Sequence, residues 1–253
     1  MKKISAFFII PLLISYACKD SVTEPQDNSL DYFPNSDGNY YEYNVAISDS
    51  NGSIIQTGNR KSYYTGDTTI VQIKLQIKVD TFQIGNLQTI KYSYFEKKSF
   101  GVYNFVDIET NGYIFLLPDS LHGNFSIPYQ YLLVTNSLEV NRAWHILESW
   151  AGIPQFQIFK LEAEVVSLDT FFISDQNTTR LTEAYNVKYK ARLTTSLNSN
   201  EPVRLFEVHR WFAKGIGPIK WEGNAELINF FAGDKIYPHN TIVSEEIKSF
   251  KIK

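Results

Sequence analysis

The sequence predicts an all-β protein: about a dozen mostly antiparallel strands, closed into a barrel or curled into a strongly bent sheet, with few or no helices. Three observations carry this. Apolar and polar residues alternate with period two over long stretches, most clearly in "VQIKLQIKVD", residues 71–80. Clusters of Gly, Asn, Asp, Ser and Pro punctuate the chain at short intervals. The composition is rich in aromatics, with 16 Tyr and 18 Phe, which suit a pleated, half-buried surface. No long stretch shows a helical period, and a meander of this size needs closure or strong curvature to manage its edges.

The chain opens with a leader. Lys2 and Lys3 precede an apolar stretch, Ile4 to Ile14, of 11 residues broken only by Ser5 and Pro11. A spanning helix needs about 20 apolar residues, so this run fits the apolar region of a secretory signal instead. Two processing sites overlap. Ser15-Tyr16-Ala17 is a small-x-small site for ordinary cleavage. Ala17-Cys18 resembles the end of a lipobox, in which Cys18 accepts lipid; Ser15 and Tyr16 depart from that pattern. Cys18 is the chain's only cysteine. Ordinary cleavage would leave it as a lone exposed thiol in an oxidising compartment. Acylation gives it a use, and the lipoprotein reading is favoured on that ground. The resemblance implies two or three acyl chains, a firm anchor where one alone binds marginally. Residues 1–17 are thus read as signal peptide and 18–31 as acylated Cys and flexible tether. "KDSVTEPQDNS" has nothing to bury, and Lys19 to Asp31 would span about 20 Å as a coil. Lys19-Asp20 resembles the short charged signals that send some Gram-negative lipoproteins to the cell surface.

Residues 32–253 are read as one β-rich domain. Strands are expected at Tyr40–Ile47, Ile54–Tyr64 and Val71–Asp80, the last with Val71, Ile73, Leu75, Ile77 and Val79 facing the core and Gln72, Lys74, Gln76, Lys78 and Asp80 facing water. Gly85-Asn86 suits a two-residue hairpin turn, which sets Asp80 opposite Lys91, Val79 opposite Tyr92 and Ile77 opposite Tyr94. Further strands are expected at Gly101–Ile108, Tyr113–Leu117 and Tyr129–Thr135. Leu138 to Trp150 has room for one short helix. "FKLEAEVV" and "YNVKYKARL" form a second hairpin around "SDQNTT", Ser174 to Thr179; a turn centred on Gln176 sets Glu164 opposite Lys188 and Glu162 opposite Lys190. Val203–Phe212, Pro218–Trp221 and Ala225–Phe231 complete the strand list.

Two segments carry a family resemblance. "DYFPNSDGNYYEY", residues 31–43, resembles the mature start of uncharacterised bacterial envelope lipoproteins that read Tyr-Phe-Pro, then Gly-Asn-x-Trp-x-Tyr. Tyr32, Phe33, Pro34, Gly38, Asn39 and Tyr43 match, and Tyr41 stands in the Trp position. "WFAKGIGPIKWEG", residues 211–223, resembles their late aromatic-x-Ala-x-Gly-Val-Gly-x-Val-Lys segment through Trp211, Ala213, Gly215, Ile216, Gly217, Ile219 and Lys220. The resemblance implies a β-rich envelope domain, similar in outline to barrel or half-barrel carriers. It supplies no catalytic residue. Physically, Gly215 and Gly217 suit a tight bend, with Pro218 restarting the chain. A phosphate loop is disfavoured, because Pro218 lacks an N–H and no Gly-Lys-Ser/Thr follows.

Chemistry is sparse. His122, His145, His209 and His239 do not fall at metal-ligand spacing. His145 and Glu148 are the nearest approach to an acid/base couple, and read as part of an aromatic cap between Trp144 and Trp150. Glu162 and Glu164 share a strand face roughly 7 Å apart, a spacing that could serve glycoside hydrolysis, but Lys188 and Lys190 would neutralise them. The basic stripe Lys188, Lys190, Arg192 reads as a solvated face. No Gly-x-Ser-x-Gly is present. The catalytic, cofactor and metal sets are therefore empty, and Cys18 is the one assigned site. Removing residues 1–17 lowers the net charge from −3 to −5, which disfavours nucleic acid as a partner. The expected role is a non-enzymatic envelope or cell-surface β domain, lipid-anchored to a membrane, with the outer membrane its expected location. Its ligand would be an apolar molecule inside the barrel, or a glycan or protein docked on Trp144, Trp150, Trp211 and Trp221 if these are exposed; the favoured reading of the four Trp is that they are core. A hydrolase with a site assembled from distant residues and a plain secreted β protein are the alternatives. A radioactive fatty acid is expected to label the protein, and Cys18→Ser to lose both the label and the membrane fraction; label retained in Cys18→Ser would contradict the assignment.

Overall fold

The computed structural model describes residues 31–106, 129–150, 157–174, 178–194 and 203–253. Cys18, its leader, His122 and the expected strand Tyr113–Leu117 lie outside the described residues, as does the side chain of Trp150. The strands are β1 (Tyr40–Ser48), β2 (Ile54–Ile70), β3 (Ile73–Ile84), β4 (Leu87–Lys98), β5 (Gly101–Phe105), β6 (Gln130–Thr135), β7 (Ala143–Trp150), β8 (Gln157–Ser174), β9 (Thr179–Leu193), β10 (Arg204–Ala213), β11 (Gly217–Asn224) and β12 (Ile242–Lys251). Among the described residues there is one helix, α1 (Ala225–Ala232), which precedes β12.

All twelve strands belong to one antiparallel sheet, ordered β6-β5-β4-β3-β2-β1-β12-β11-β10-β9-β8-β7. It is an up-and-down meander joined at the termini, where β1 pairs β12 with Tyr41 opposite Phe250 and Ile47 opposite Val243. The two remaining edges, β6 and β7, are consecutive in sequence, and the sheet curls into a nearly closed barrel. Tyr41, Tyr43, Val45 and Ile47 of β1 point inward, as their alternation dictates.

Both expected hairpins form in the expected register. Ile77 lies opposite Tyr94, Val79 opposite Tyr92 and Asp80 opposite Lys91; Glu162 lies opposite Lys190 and Glu164 opposite Lys188. A bulge after Val165 moves the second turn by half a residue, so Ser174 pairs with Thr179. Three other expectations are overturned. Val71 and Gln72 are the turn between β2 and β3, both at positive φ (49° and 64°), not the start of a strand. Leu138 to Trp150 holds no helix; Ala143–Trp150 is strand β7, fixed by pairing with β8. Ala225–Phe231 is helical rather than extended. Ala225, Glu226 and Leu227 are good helix formers, and Gly233 at φ 71° closes the last turn. Asn229 then accepts the N–H groups of Ile236 and Tyr237, and Glu226 accepts that of Asn240. These bonds hold the return to β12. The helix is buried almost all round because it plugs the barrel: Phe230 meets Tyr131 and Phe159, while Phe231 meets Tyr189 and Trp221.

The two segments that carry the family resemblance pack against each other at the opposite end from α1. Gly215 N–H donates to the Asp31 carbonyl at 2.7 Å, and Tyr43 donates to the Pro218 carbonyl at 2.8 Å. Tyr41 donates to the Pro34 carbonyl at 3.0 Å. Gly217 sits in this contact at φ 97°, where an added Cβ would lie 3.0 Å from Pro34 Cδ. Gly217→Ala is therefore expected to lower the free energy of unfolding by about 1–3 kcal/mol, read as a shift in denaturant midpoint at unchanged slope. A loss of only a few tenths would contradict the account.

Candidate functional site

The inner wall of the barrel carries charge. On β3 the sequence offers two apolar phases, Ile73 to Val79 on one and Phe82 with Ile84 on the other. The interior takes the second, which brings Lys78 and Asp80 inside at 7% and 5% exposure. The water-facing half of the expectation is thus overturned at Lys78 and Asp80, and Tyr92, read from sequence as core, is exposed; Leu75 and Val79, also read as core, are buried as expected. The partners waiting on neighbouring strands account for the choice. Asp80 pairs across the ladder with Ser62 of β2, which donates to Asp80 Oδ1. Lys78 Nζ donates to Asp80 Oδ2 at 2.7 Å. Arg60 of β2 lies 3.5 Å from Asp80 Oδ1 and 2.6 Å from Glu245 Oε2 on β12, with the Tyr43 ring 4.2 Å from its guanidinium carbon. Tyr237, from the loop after α1, donates to Glu245 Oε1.

Arg210 of β10 completes the set and is treated differently. It is 4% exposed. Among the described residues it has no carboxylate or hydrogen-bond partner; its guanidinium lies among the rings of Trp221 (4.2 Å), Phe212 (4.9 Å) and Phe33 (5.8 Å). The ladder explains the separation from Glu245. Arg210 is opposite Trp221, and Trp221 is opposite Glu245. The carboxylate is thus two strands away, roughly 9–10 Å at ordinary strand spacing, with an indole between. Cation–π contact offsets part of the cost of burying the charge.

Lys78, Asp80, Arg60, Arg210, Trp221 and Glu245 line an interior cavity of about 30 Å³, together with Ser93 of β4, Asn104 of β5 and Tyr131 of β6. That is room for one or two water-sized groups. Burial, then the nearby Arg60 and Arg210, push the Lys78 ammonium down to about 8 in spite of Asp80. Burial alone would raise Asp80; Lys78 and Arg60, with the hydrogen bonds from Lys78 and Ser62, hold it below the ordinary carboxylate value instead. Burial also lowers Arg210 and raises Tyr43, Tyr64 and Tyr237.

The residues singled out from sequence lie elsewhere. His145 and Glu148 are both exposed, and Glu148 accepts from Gln157 rather than forming a couple with His145. His209 is on the outer face, at 2.9 Å from Asn186 and 3.1 Å from Glu207. His239 lies 3.7 Å from Glu226. Glu162 pairs with Lys160 of its own strand at 2.5 Å, while Lys190 and Arg192 are exposed, so the paired carboxylates belong to an ion-paired outer surface. The Trp docking set is not realised among the described side chains. Trp221 is buried, Trp144 packs against the main core, and Trp211 packs beside Phe171 and donates to Asp169 at 2.6 Å. Sequence reasoning missed Arg60, Arg210 and Glu245. The available signal was a charge in the apolar phase of an alternating strand: Arg210 shares its phase with Phe206, Val208 and Phe212.

No family model matches this chain, and no curated protein matches it. Among solved structures, a candidate lipoprotein from Parabacteroides distasonis superposes with TM-score 0.40 at 10% identity, covering 87% of this chain and 98% of that one. A candidate exported protein with a YmcC-like fold from Bacteroides fragilis gives TM-score 0.38 at 11% identity, with the same 87% and 98% coverage. At this level of superposition no residue of either protein can be equated with one here.

Two outcomes follow from the cluster. Asp80→Asn strands Lys78 and Arg60 and is expected to cost about 3–5 kcal/mol of stability in urea unfolding; near-neutrality would mean that the pair is not buried. Lys78 holds its proton less tightly when folded, at about 8 against the ordinary 10.5. The wild type is therefore expected to lose stability relative to Lys78→Met as the pH falls from above 10 to about 8, and no further below that. A pH-independent difference would contradict the burial of Lys78.

Proposed function

We propose that this chain is a lipid-anchored β domain of the bacterial cell envelope, held to a bilayer through Cys18 and acting by binding rather than by catalysis. The leader, the lone cysteine and the polar tether support the anchor. The geometric observation that carries the reading is the position of Asp31. Its carbonyl accepts from Gly215 in the β10–β11 turn, and its carboxylate pairs with Lys97 at the end of β4. The chain before it therefore joins the barrel at one defined end, opposite the α1 plug. The β2–β3, β4–β5 and β8–β9 turns share that end, as the antiparallel registers require. Apolar side chains project there: Val71, Phe100, and the cross-strand pair Phe172 and Leu181, at 81% and 63% exposure. A tether of about 20 Å holds this end close to the lipid, and apolar tips beside it suit the headgroup boundary.

The interior favours surface binding over carriage of a large apolar molecule. A drug-sized ligand needs about 300–1,000 Å³, whereas the interior cavity is about 30 Å³ and lined by charge. A depression of about 360 Å³ beside Ile84, Leu87 and Tyr237 is an open groove at the other end of the barrel. Outer-membrane residence, and a glycan or protein partner met from the membrane surface, complete the proposal.

The acylated protein in liposomes tests it. With Cys18 acylated, Phe172→Cys and Leu205→Cys each offer a single free thiol for an environment-sensitive dye, at opposite ends of the barrel. A blue shift on liposome binding is expected at residue 172 and not at residue 205. Equal shifts, or a larger one at 205, would overturn the orientation.

A further inference from the structure

The buried charges do not cancel. Among the described residues, Arg60, Lys78 and Arg210 face Asp80 and Glu245 around one small cavity, an excess of one cation. Arg60 and Lys78 are committed to carboxylates. Arg210 is not, and a guanidinium cannot shed its proton to escape burial. A cation at this depth needs a counter-charge. Rings supply part of the stabilisation but no acceptor for its N–H groups.

The unsatisfied atoms around the cavity are biased the same way. Among the described residues, Arg60 Nε, Arg210 Nε and Trp221 Nε1 are buried donors without a partner. Two acceptors are also unsatisfied, Asn104 Oδ1 and Glu245 Oε2, but the second lies 2.6 Å from Arg60 Nη2. Asn104 Nδ2 bonds the Tyr131 hydroxyl at 2.6 Å. Turning that amide over would let Tyr131 donate to Asn104 Oδ1, leaving an N–H₂ group free for the cavity. Such a collection of donors about an unpaired guanidinium is the chemistry of an anion site.

We propose that the cavity binds a small monovalent anion of halide size, held by Arg210 with the indole N–H of Trp221 beside it. The volume selects the class. Room for one or two water-sized groups admits a monoatomic anion and excludes phosphate esters and carboxylate ligands of any length. The anion balances the described charges and gives Arg210 an acceptor that no described residue supplies.

Bromide is the probe. Crystals of the protein soaked in sodium bromide are expected to show one anomalous peak inside the barrel, within hydrogen-bond reach of Arg210. In solution, unfolding is compared in sodium chloride and in sodium gluconate at equal ionic strength, gluconate being too large for the cavity. Above saturation the unfolding constant is expected to fall about tenfold for each tenfold rise in chloride, with no such response in gluconate. Arg210→Met, which replaces the charge with an apolar chain of similar length, is expected to abolish the chloride response. An interior without the bromide peak overturns the proposal, as does a chloride response that survives in Arg210→Met. The bromide measurement uses the wild type, so it decides the matter even if the variant does not fold.

Discussion

The double ion pair of Arg60 is the constraint on which the barrel interior depends. Its guanidinium reaches Asp80 on β3 and Glu245 on β12, so one side chain on β2 joins the first half of the meander to its last strand. Removing two carboxylates and a guanidinium from water is expensive, and only nearly complete pairing offsets it. Ser62, Lys78 and Tyr237 supply that completion from three other points on the wall. Such a cluster adds little net stability over an apolar core of the same shape. Its contribution is specificity, because β3 shifted by one residue would turn Asp80 away from Arg60 and Ser62, its partners on β2.

The charged centre lies between two aromatic plugs. From one end α1 inserts Phe230 and Phe231 against Tyr131, Phe159, Tyr189 and Trp221. From the other, Phe33 packs on Tyr64 and Phe95, and Tyr41 stacks on Tyr43. The last residue lies beside this second plug, where the Lys253 N–H donates to Asn39 Oδ1. The segment Asp31–Pro34 thus lids the core at this end through its contacts with Gly215, Lys97 and Tyr41.

The sequence was legible where one signal governed each residue. The hairpins at Gly85-Asn86 and Ser174–Thr179 were readable because charge pairs and apolar pairs agreed on a single register. The inward face of β3 was not, because both its phases carry apolar residues; the decision rests on Arg60 and Ser62, which neighbour it only after folding. The helix at Ala225–Ala232 was obscured by "LINFF", a run as apolar as a buried strand, whose helical state depends on Gly233 and on the bonds of Asn229 to a loop further along. Strand β12, "IVSEEIKSFK", gave no clean alternation, yet it closes the sheet through β1. Arg210 and Glu245 escaped notice for the same reason: on a strand, a lone charge in an apolar phase looks like an exception until the opposite wall supplies its setting.

The central claim is that Lys78 and Asp80 face the barrel interior rather than water. An NMR titration of the lysine side-chain ammonium groups, with Lys78 assigned by its loss in Lys78→Met, tests this most directly. The account predicts that Lys78 titrates near 8. Titration of Lys78 at the ordinary 10.5 would contradict it.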